Sequence, residues 1–330
     1  MKRAVNAELD RLRQLTAALK QNLELCAKDA TIDAVHDIRT GTRRIEALLD
    51  TILRERTQPA LGESVPQKPG LQPDDLPKTA ERWLRLLKRI RRTAAPVRDL
   101  DVHRKLLEKF KPQKKAVAPG ENAIEPSDAP AILSGPVKQQ ADDLDAWLKQ
   151  TRADQARPLM KAAPKWAPQV ETQLASLEEA MRQSPLRRKA SRNAAVTALE
   201  AFARLASQMQ QLDAGNLHDF RKGAKKARYM AESGGTDEHA GAVGKALKRL
   251  QDEIGDWHDW LVLAEEANEA LGSHGLELTA LIEKERDMHC ALAMNITERM
   301  RGRLMGEWQA LGARPPVRIR PRLPARTEVS

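Results

Sequence analysis

Two short stretches bring together side chains that could do chemistry. `AVHDIRTGTRR` occupies residues 34–44 and `NLHDFRKGAKKARY` residues 216–229. Each has a His-Asp pair, then an arginine, a glycine and a basic pair. His36, Asp37, Arg39 and Gly41 recur as His218, Asp219, Arg221 and Gly223, and Arg43-Arg44 recurs in charge as Lys225-Lys226. Histidine with aspartate suggests a metal site. Arginine with lysine suggests an anion site, because a guanidinium fork matches phosphate oxygens and an ammonium acts as a point charge.

A second pair of segments shares the pattern. `RLLKRIRRTAAPVRDLDV` (85–102) aligns with `KALKRLQDEIGDWHDWLV` (245–262). Arg85, Lys88 and Arg89 meet Lys245, Lys248 and Arg249, and Asp99 meets Asp259. The first pair of segments is offset by 182 residues and the second by 160. The 22-residue difference is about the length of a proline-rich stretch lying between the paired segments of the first copy. An internal duplication with one lengthened loop accounts for both offsets.

Helical geometry sorts these residues into faces. At roughly 100° per residue, Arg39, Arg43 and Arg44 lie within roughly 80° of His36, while Ile38, Ile45 and Leu49 lie roughly opposite. In the second copy His218, Arg221, Lys222, Lys225 and Lys226 oppose Phe220, Ala224, Ala227 and Ala231, with Tyr229 on the cationic side. Arg85, Lys88, Arg89 and Arg92 form one stripe, and Lys245, Lys248 and Arg249 its counterpart. Thr31 or Asp33 can cap the first motif helix, and Asn216, with Asp219 three residues on, the second. The histidines then fall in the first turn, near the positive end of the helix dipole.

The elements that must carry these residues are helical. Ala, Leu, Arg, Lys, Glu and Gln dominate, and β-branched and aromatic residues are sparse, which favours helix over sheet. Leu9, Leu12, Leu19, Leu23 and Cys26 keep a helical period, as do Val35, Ile38, Ile45 and Leu49. The same test predicts helices near 79–95, 98–110, 137–161, 165–183, 187–212, 216–232, 238–255, 258–271 and 274–308. Residues 57–78 and 111–136 hold five prolines each and read as mobile loop insertions. The fold class expected is all-α: two pseudo-symmetric helical bundles, 1–184 and 185–312, around a basic central groove or pore. A basic tail, 313–330, reads as disordered.

The 330-residue chain carries a net charge of +10, of which the tail's five Arg and one Glu contribute +4. That balance favours an anionic partner without choosing it. Cys26 and Cys290, the two cysteines, exclude a disulfide framework and read as buried free thiols of a reducing compartment. No apolar run is long enough to span a membrane, and the N-terminus has no signal-peptide core. The localisation expected is cytoplasmic.

Three readings fit the repeated residues: a phosphate-polymer binder, a nucleic-acid backbone binder and a metal-dependent phosphohydrolase. Cationic neighbours at i+3 and i+7 of each motif histidine disfavour a metal. No phosphate-cradling glycine loop, nucleophile elbow or E-x-E-x-K stretch is present. Asp99 and Asp101, at i and i+2, point to different sides of a helix, which disfavours joint acid–base work. Sparse aromatics disfavour single-strand nucleic acid.

`VHDIRTGTRR`, `VRDLDV`, `LHDFRKGAKKARY` and `KRLQDEIGDWHD` together resemble the CHAD domain, the conserved histidine α-helical domain, over most of residues 5–308. The resemblance implies two pseudo-symmetric helical bundles around a basic pore, and binding of inorganic polyphosphate; the function expected is non-enzymatic binding of that polymer without a cofactor. It also implies association with polyphosphate granules. The motif carries over at His36, Arg39, Arg43 and Arg44 and at His218, Arg221, Lys225 and Lys226. The basic residues of the following helix are Lys88, Arg89, Lys248 and Arg249. Two departures stand out. Glu46 occupies a place where the family often has a basic residue, filled by Arg228 in the second copy, and His258-Asp259 stands for Arg98-Asp99.

Overall fold

The computed structural model describes residues 2–57, 76–111, 135–183, 194–232 and 237–312. Among them every regular element is helical: α1 (Lys2–Lys28), α2 (Ile32–Thr57), α3 (Leu76–Leu107), α4 (Gly135–Gln183), α5 (Ala194–Gln208), α6 (Leu217–Glu232), α7 (Glu238–Leu271) and α8 (Leu276–Gly312). The all-α expectation holds. The bulk of both proline-rich stretches, the Ser184-Pro185 boundary and the basic tail lie outside the described residues.

Two compact units form. One comprises Met1–Ser191 with Gly255–Leu292, the other Arg192–Ile254 with Ala293–Ser330. Packing therefore groups Gly255–Leu292 with the N-terminal part of the chain, whereas the sequence halves divide at a single point. Both α7 and α8 contribute to each unit.

In the first unit α1, α2, α3 and α4 pack on one another. The periodic residues read from the sequence make this core: Leu12, Leu19, Leu23, Cys26, Val35, Ile38, Ile45 and Leu49 are buried, joined by Trp83, Leu87 and Ile90 of α3 and Leu159 and Val170 of α4. A second cluster centres on Leu107, Phe110, Leu144, Trp260 and Ile282. Cys26 is buried and burial pushes its thiol up to about 11. Cys290 is only half-buried, which corrects the expectation of two buried thiols.

In the second unit α5 packs on α6, with Phe202 and Phe220 edge-to-face at 5.9 Å between ring centres. The repeated glycines do different jobs. A Cβ at Gly223 would meet Leu205 Cδ1 at 2.5 Å, so any side chain there requires the Leu205 side chain of α5 to shift. A Cβ at Gly41 would sit 3.8 Å from Leu19 Cβ, an ordinary contact.

Several helices run further than the prolines suggest. Residues 79–95 and 98–110 belong largely to one helix, α3, through Pro96, closed by a single 3-10 turn at Glu108–Phe110. Residues 137–161 and 165–183 are one helix, α4, through Pro158, Pro164 and Pro168. All four prolines are exposed. Each removes one helical hydrogen bond, but on the wet face the carbonyl it orphans is solvated. The buried stripes of the same helices, among them Ala94 and Val97, or Leu159 and Val170, keep the chain helical. Residues 238–255 and 258–271 likewise join as α7. It ends at Gly272, whose φ of 52° is the left-handed geometry that glycine adopts without strain.

Candidate anion-binding faces

Thr31 starts the first motif helix. Its Oγ1 accepts the Ala34 N–H at 3.2 Å, and its carbonyl accepts the Val35 N–H at 3.0 Å. Val35, Ile38, Ile45 and Leu49 turn into the core. Helical geometry then leaves His36, Arg43 and Arg44 exposed on the opposite side. The second motif helix is set up differently from the sequence expectation. Asp213 and Asn216 form the reciprocal pair: Asp213 Oδ1 accepts the Asn216 N–H, and Asn216 Oδ1 accepts the Asp213 N–H, each at 3.0 Å. Asp219 does not cap. Its carboxylate pairs with Lys222 at 2.9 Å. Asp213 outcompetes it by lying in the turn just before the helix, where an aspartate folds onto nearby backbone N–H groups.

In the first unit α2 and α3 pack together, and the chemistry gathers at Arg39. Its side chain is only 18% exposed, and its Nη1 lies 3.3 Å from Asp99 Oδ1. Burial, then repulsion from Arg43, Arg98 and Arg91, pulls the Arg39 guanidinium below its ordinary pKa, with Asp99 opposing. Three arginines thus act on Arg39 here. Glu46 forks onto Arg91 with both carboxylate oxygens, the longer bond 3.3 Å. The acidic departure at position 46 therefore has a structural reason: it neutralises an arginine on the packed α3.

Asp99 and Asp101 do point apart. Asp101 is fully buried, with Oδ1 2.5 Å from Arg152 Nε of α4. The same guanidinium donates to the Ala30 carbonyl at 2.7 Å, tying α3, α4 and the α1–α2 turn. Further along α3, His103 Nδ1 lies 2.7 Å from Glu266 Oε2. Asp145 gathers Arg104, Lys111 and Lys149 at 2.7–2.9 Å. Burial pushes Asp145 up, but Lys111, Lys149 and Arg104 outweigh it and hold the carboxyl well below the usual range. These groups lock the helices that present the cationic face.

In the second unit the arginine of the motif is tied to its neighbour: Arg221 Nε donates to the Gln251 carbonyl of α7 at 3.0 Å. His218 is half-buried. Burial lowers its pKa, Lys222 and Arg221 lower it further, and Asp219 opposes them. Tyr229 is flanked by Lys225 Nζ, 5.8 Å from the ring centre, and Arg228 Cζ at 5.1 Å. Arg228 also pairs with Glu232 at 3.0 Å.

The remaining sequence candidates divide by charge balance. Arg85 pairs with Glu81 at 2.7 Å, Lys248 pairs with Asp252, and Lys222 with Asp219, all one turn apart on their own helices. Arg44, Lys88, Arg89, Arg92, Lys226, Lys245 and Arg249 are exposed, with no ion pair among the described residues. Sequence reasoning missed Arg91, and it gave Arg98 to a carboxylate pair or to the groove, whereas the structure sets it beside Arg39. The signal was present, since they stand seven apart, two turns along one face of α3. No three His, Cys, Asp or Glu side chains gather as a metal would need among the described residues. No described helix is long and apolar enough to cross a membrane.

Comparison with known proteins agrees with the fold. PptA from Streptomyces chartreusis matches with a TM-score of 0.56 at 14% identity, over 89% of this chain and 98% of that one. The CHAD domain from the plant Ricinus communis matches with a TM-score of 0.48 at 18% identity, over 92% and 90% of the two chains. No curated protein sequence matches the chain. The family model described as the CHAD domain matches residues 73–268, which includes the α3 stripe and the whole second motif and leaves the first motif helix outside the match. That span is more than half of the chain, and the protein belongs to the CHAD domain family, for which polyphosphate-related binding is the family-level function.

Proposed function

We propose that the protein binds inorganic polyphosphate through the two cationic helix faces, without turning it over, and that this binding attaches it to polyphosphate granules. The observation that carries the reading is the crowding at Arg39. Arg39 is largely buried, and Arg43, Arg98 and Arg91 each work against its charged form. Two carboxylates face these four guanidiniums, Asp99 at Arg39 and Glu46 at Arg91. A densely charged polyanion supplies the missing counter-charge. Exposed Arg43, Arg44, Lys88 and Arg89 add contacts around it.

The faces suit a bare phosphate chain better than a nucleic acid. Bases need aromatic surfaces to stack on. α2 has no aromatic residue, Trp83 of α3 is buried, and Tyr229 of α6 already lies between Lys225 and Arg228.

Competition tests this. Fluorescent polyphosphate bound to the protein is challenged with unlabelled polyphosphate, RNA or duplex DNA at equal phosphate. Displacement by polyphosphate at concentrations where nucleic acid leaves the complex intact is expected. Equal displacement by nucleic acid would make this a general backbone binder. Orthophosphate released on adding divalent metal would make it a hydrolase.

A further inference from the structure

We propose that Asp99 is an exchangeable counter-ion: it holds Arg39 in place in the free protein and gives it up to a phosphate group on binding. The proposal rests on the polyphosphate reading above.

The contrast with Asp101, two residues along the same helix, carries it. Asp101 is fully buried, meets Arg152 through both carboxylate oxygens, and shares that arginine with the Ala30 carbonyl. Such a pair is permanent, because exchanging it would leave a buried charge alone. Asp99 differs at each point. It is 53% exposed, so it can turn to water at little cost. Its oxygen lies 3.3 Å from Arg39 Nη1, close enough for attraction. Yet that buried Nη1 makes no hydrogen bond among the described residues. The pair is held by charge and not by aligned donor and acceptor, and the directional donor remains for a better-placed oxygen.

Among the described residues Asp99 is the one carboxylate at ion-pair distance from Arg39. Glu46 is engaged by Arg91, and Arg43, Arg91 and Arg98 repel Arg39. Without a ligand, Arg39 would otherwise be a partly buried cation among three cations. With a ligand, Asp99 becomes a negative charge beside a polyanion and opposes it. One residue therefore stabilises the free state and weakens the bound one.

The test is Asp99→Asn, which keeps the size and removes the charge. Asp154→Asn on α4, whose exposed carboxylate pairs with Arg157 and accepts from Gln150, is the control for the same change in net charge. Melting without ligand and polyphosphate affinity are measured for each. Asp99→Asn is expected to melt lower than wild type when free. It should then bind polyphosphate about fivefold to tenfold tighter, as expected for removing about one close like-charge interaction from the complex. Asp154→Asn should stay within about twofold of wild type. Unchanged or weaker binding by Asp99→Asn, with wild type binding normally, overturns the exchange and leaves the polyphosphate reading intact. A wild type that binds no polyphosphate overturns both.

Discussion

A partly buried guanidinium with three arginine neighbours persists only if something nearby compensates it, and at Arg39 that is Asp99. The residue scale shows how little of this is carried by residue type alone. The sequence exposes which residues are cationic, but Arg85, Lys222 and Lys248 turn out to be paired within their own helices. Arg91 enters from a position off the stripe. A helical wheel sorts residues around one axis and does not tell which carboxylate arrives from the neighbouring helix. His218 gives a direct prediction. Burial and its cationic neighbours favour the neutral ring in the free protein, and a bound polyanion reverses that balance. Calorimetric titration with polyphosphate near about pH 6, just below the ordinary histidine pKa, should record proton uptake. His218→Gln should lose that uptake, and a wild-type heat independent of buffer ionisation would contradict it. Asp145 gives a second prediction. Its folded pKa is depressed, so its contribution is fully present above its unfolded pKa of about 4 and is lost as pH falls below that. Asp145→Asn should cost about 2 kcal/mol at neutral pH, on the scale of hydrogen bonds to charged groups. In denaturant melts the gap from wild type should narrow steadily as pH falls below about 4; a constant gap would show that the three cations do not set the carboxyl.

At the scale of elements, the motif helices were legible because one stripe of each is buried and the opposite one is not. Ile38, Ile45, Leu49, Phe220, Ala224, Ala227 and Ala231 all lie inside as the helical period requires. Prolines were misleading. Pro96, Pro158, Pro164 and Pro168 look like breaks, yet packing along the opposite face holds α3 and α4 continuous, and local propensity has no access to that term. Caps were legible where the hydroxyl lies at the helix start, as at Thr31. They were missed where a turn residue intervened, as at Asp213. Substituting Thr31 by Ala should cost about 1 kcal/mol. The two motif glycines should separate. Replacing a mid-helix glycine by alanine stabilises by about 0.5–1 kcal/mol where there is room. Gly41→Ala has that room, and its melting temperature should rise. Gly223→Ala must displace Leu205 and should not gain. Equal gains in both would mean that the α5–α6 approach is looser than its geometry implies.

At the scale of the whole molecule, composition already marked an all-helical, basic chain, and the family match agrees. The paired segments match in residue type, and the compact units group Gly255–Leu292 with the N-terminal segments. Helices as long as α7 and α8 serve both units, and a linear alignment of halves does not reveal which core each end joins. Binding that depends on many cations releases many counter-ions, so polyphosphate affinity should fall steeply with salt. The most direct measurement of the central claim is polyphosphate affinity, across a salt series, of the protein with Arg39, Arg43, Arg221 and Lys225 all replaced by Ala. Circular dichroism and melting confirm that the variant is folded, since Arg39 and Arg221 also have structural partners. The account predicts a folded, helical variant with binding abolished at physiological salt. Any residual low-salt binding should have a log–log salt slope smaller by about three, at roughly 0.7–0.9 per lost contact. A folded variant that keeps wild-type affinity and slope would contradict the assignment of these helix faces as the binding site.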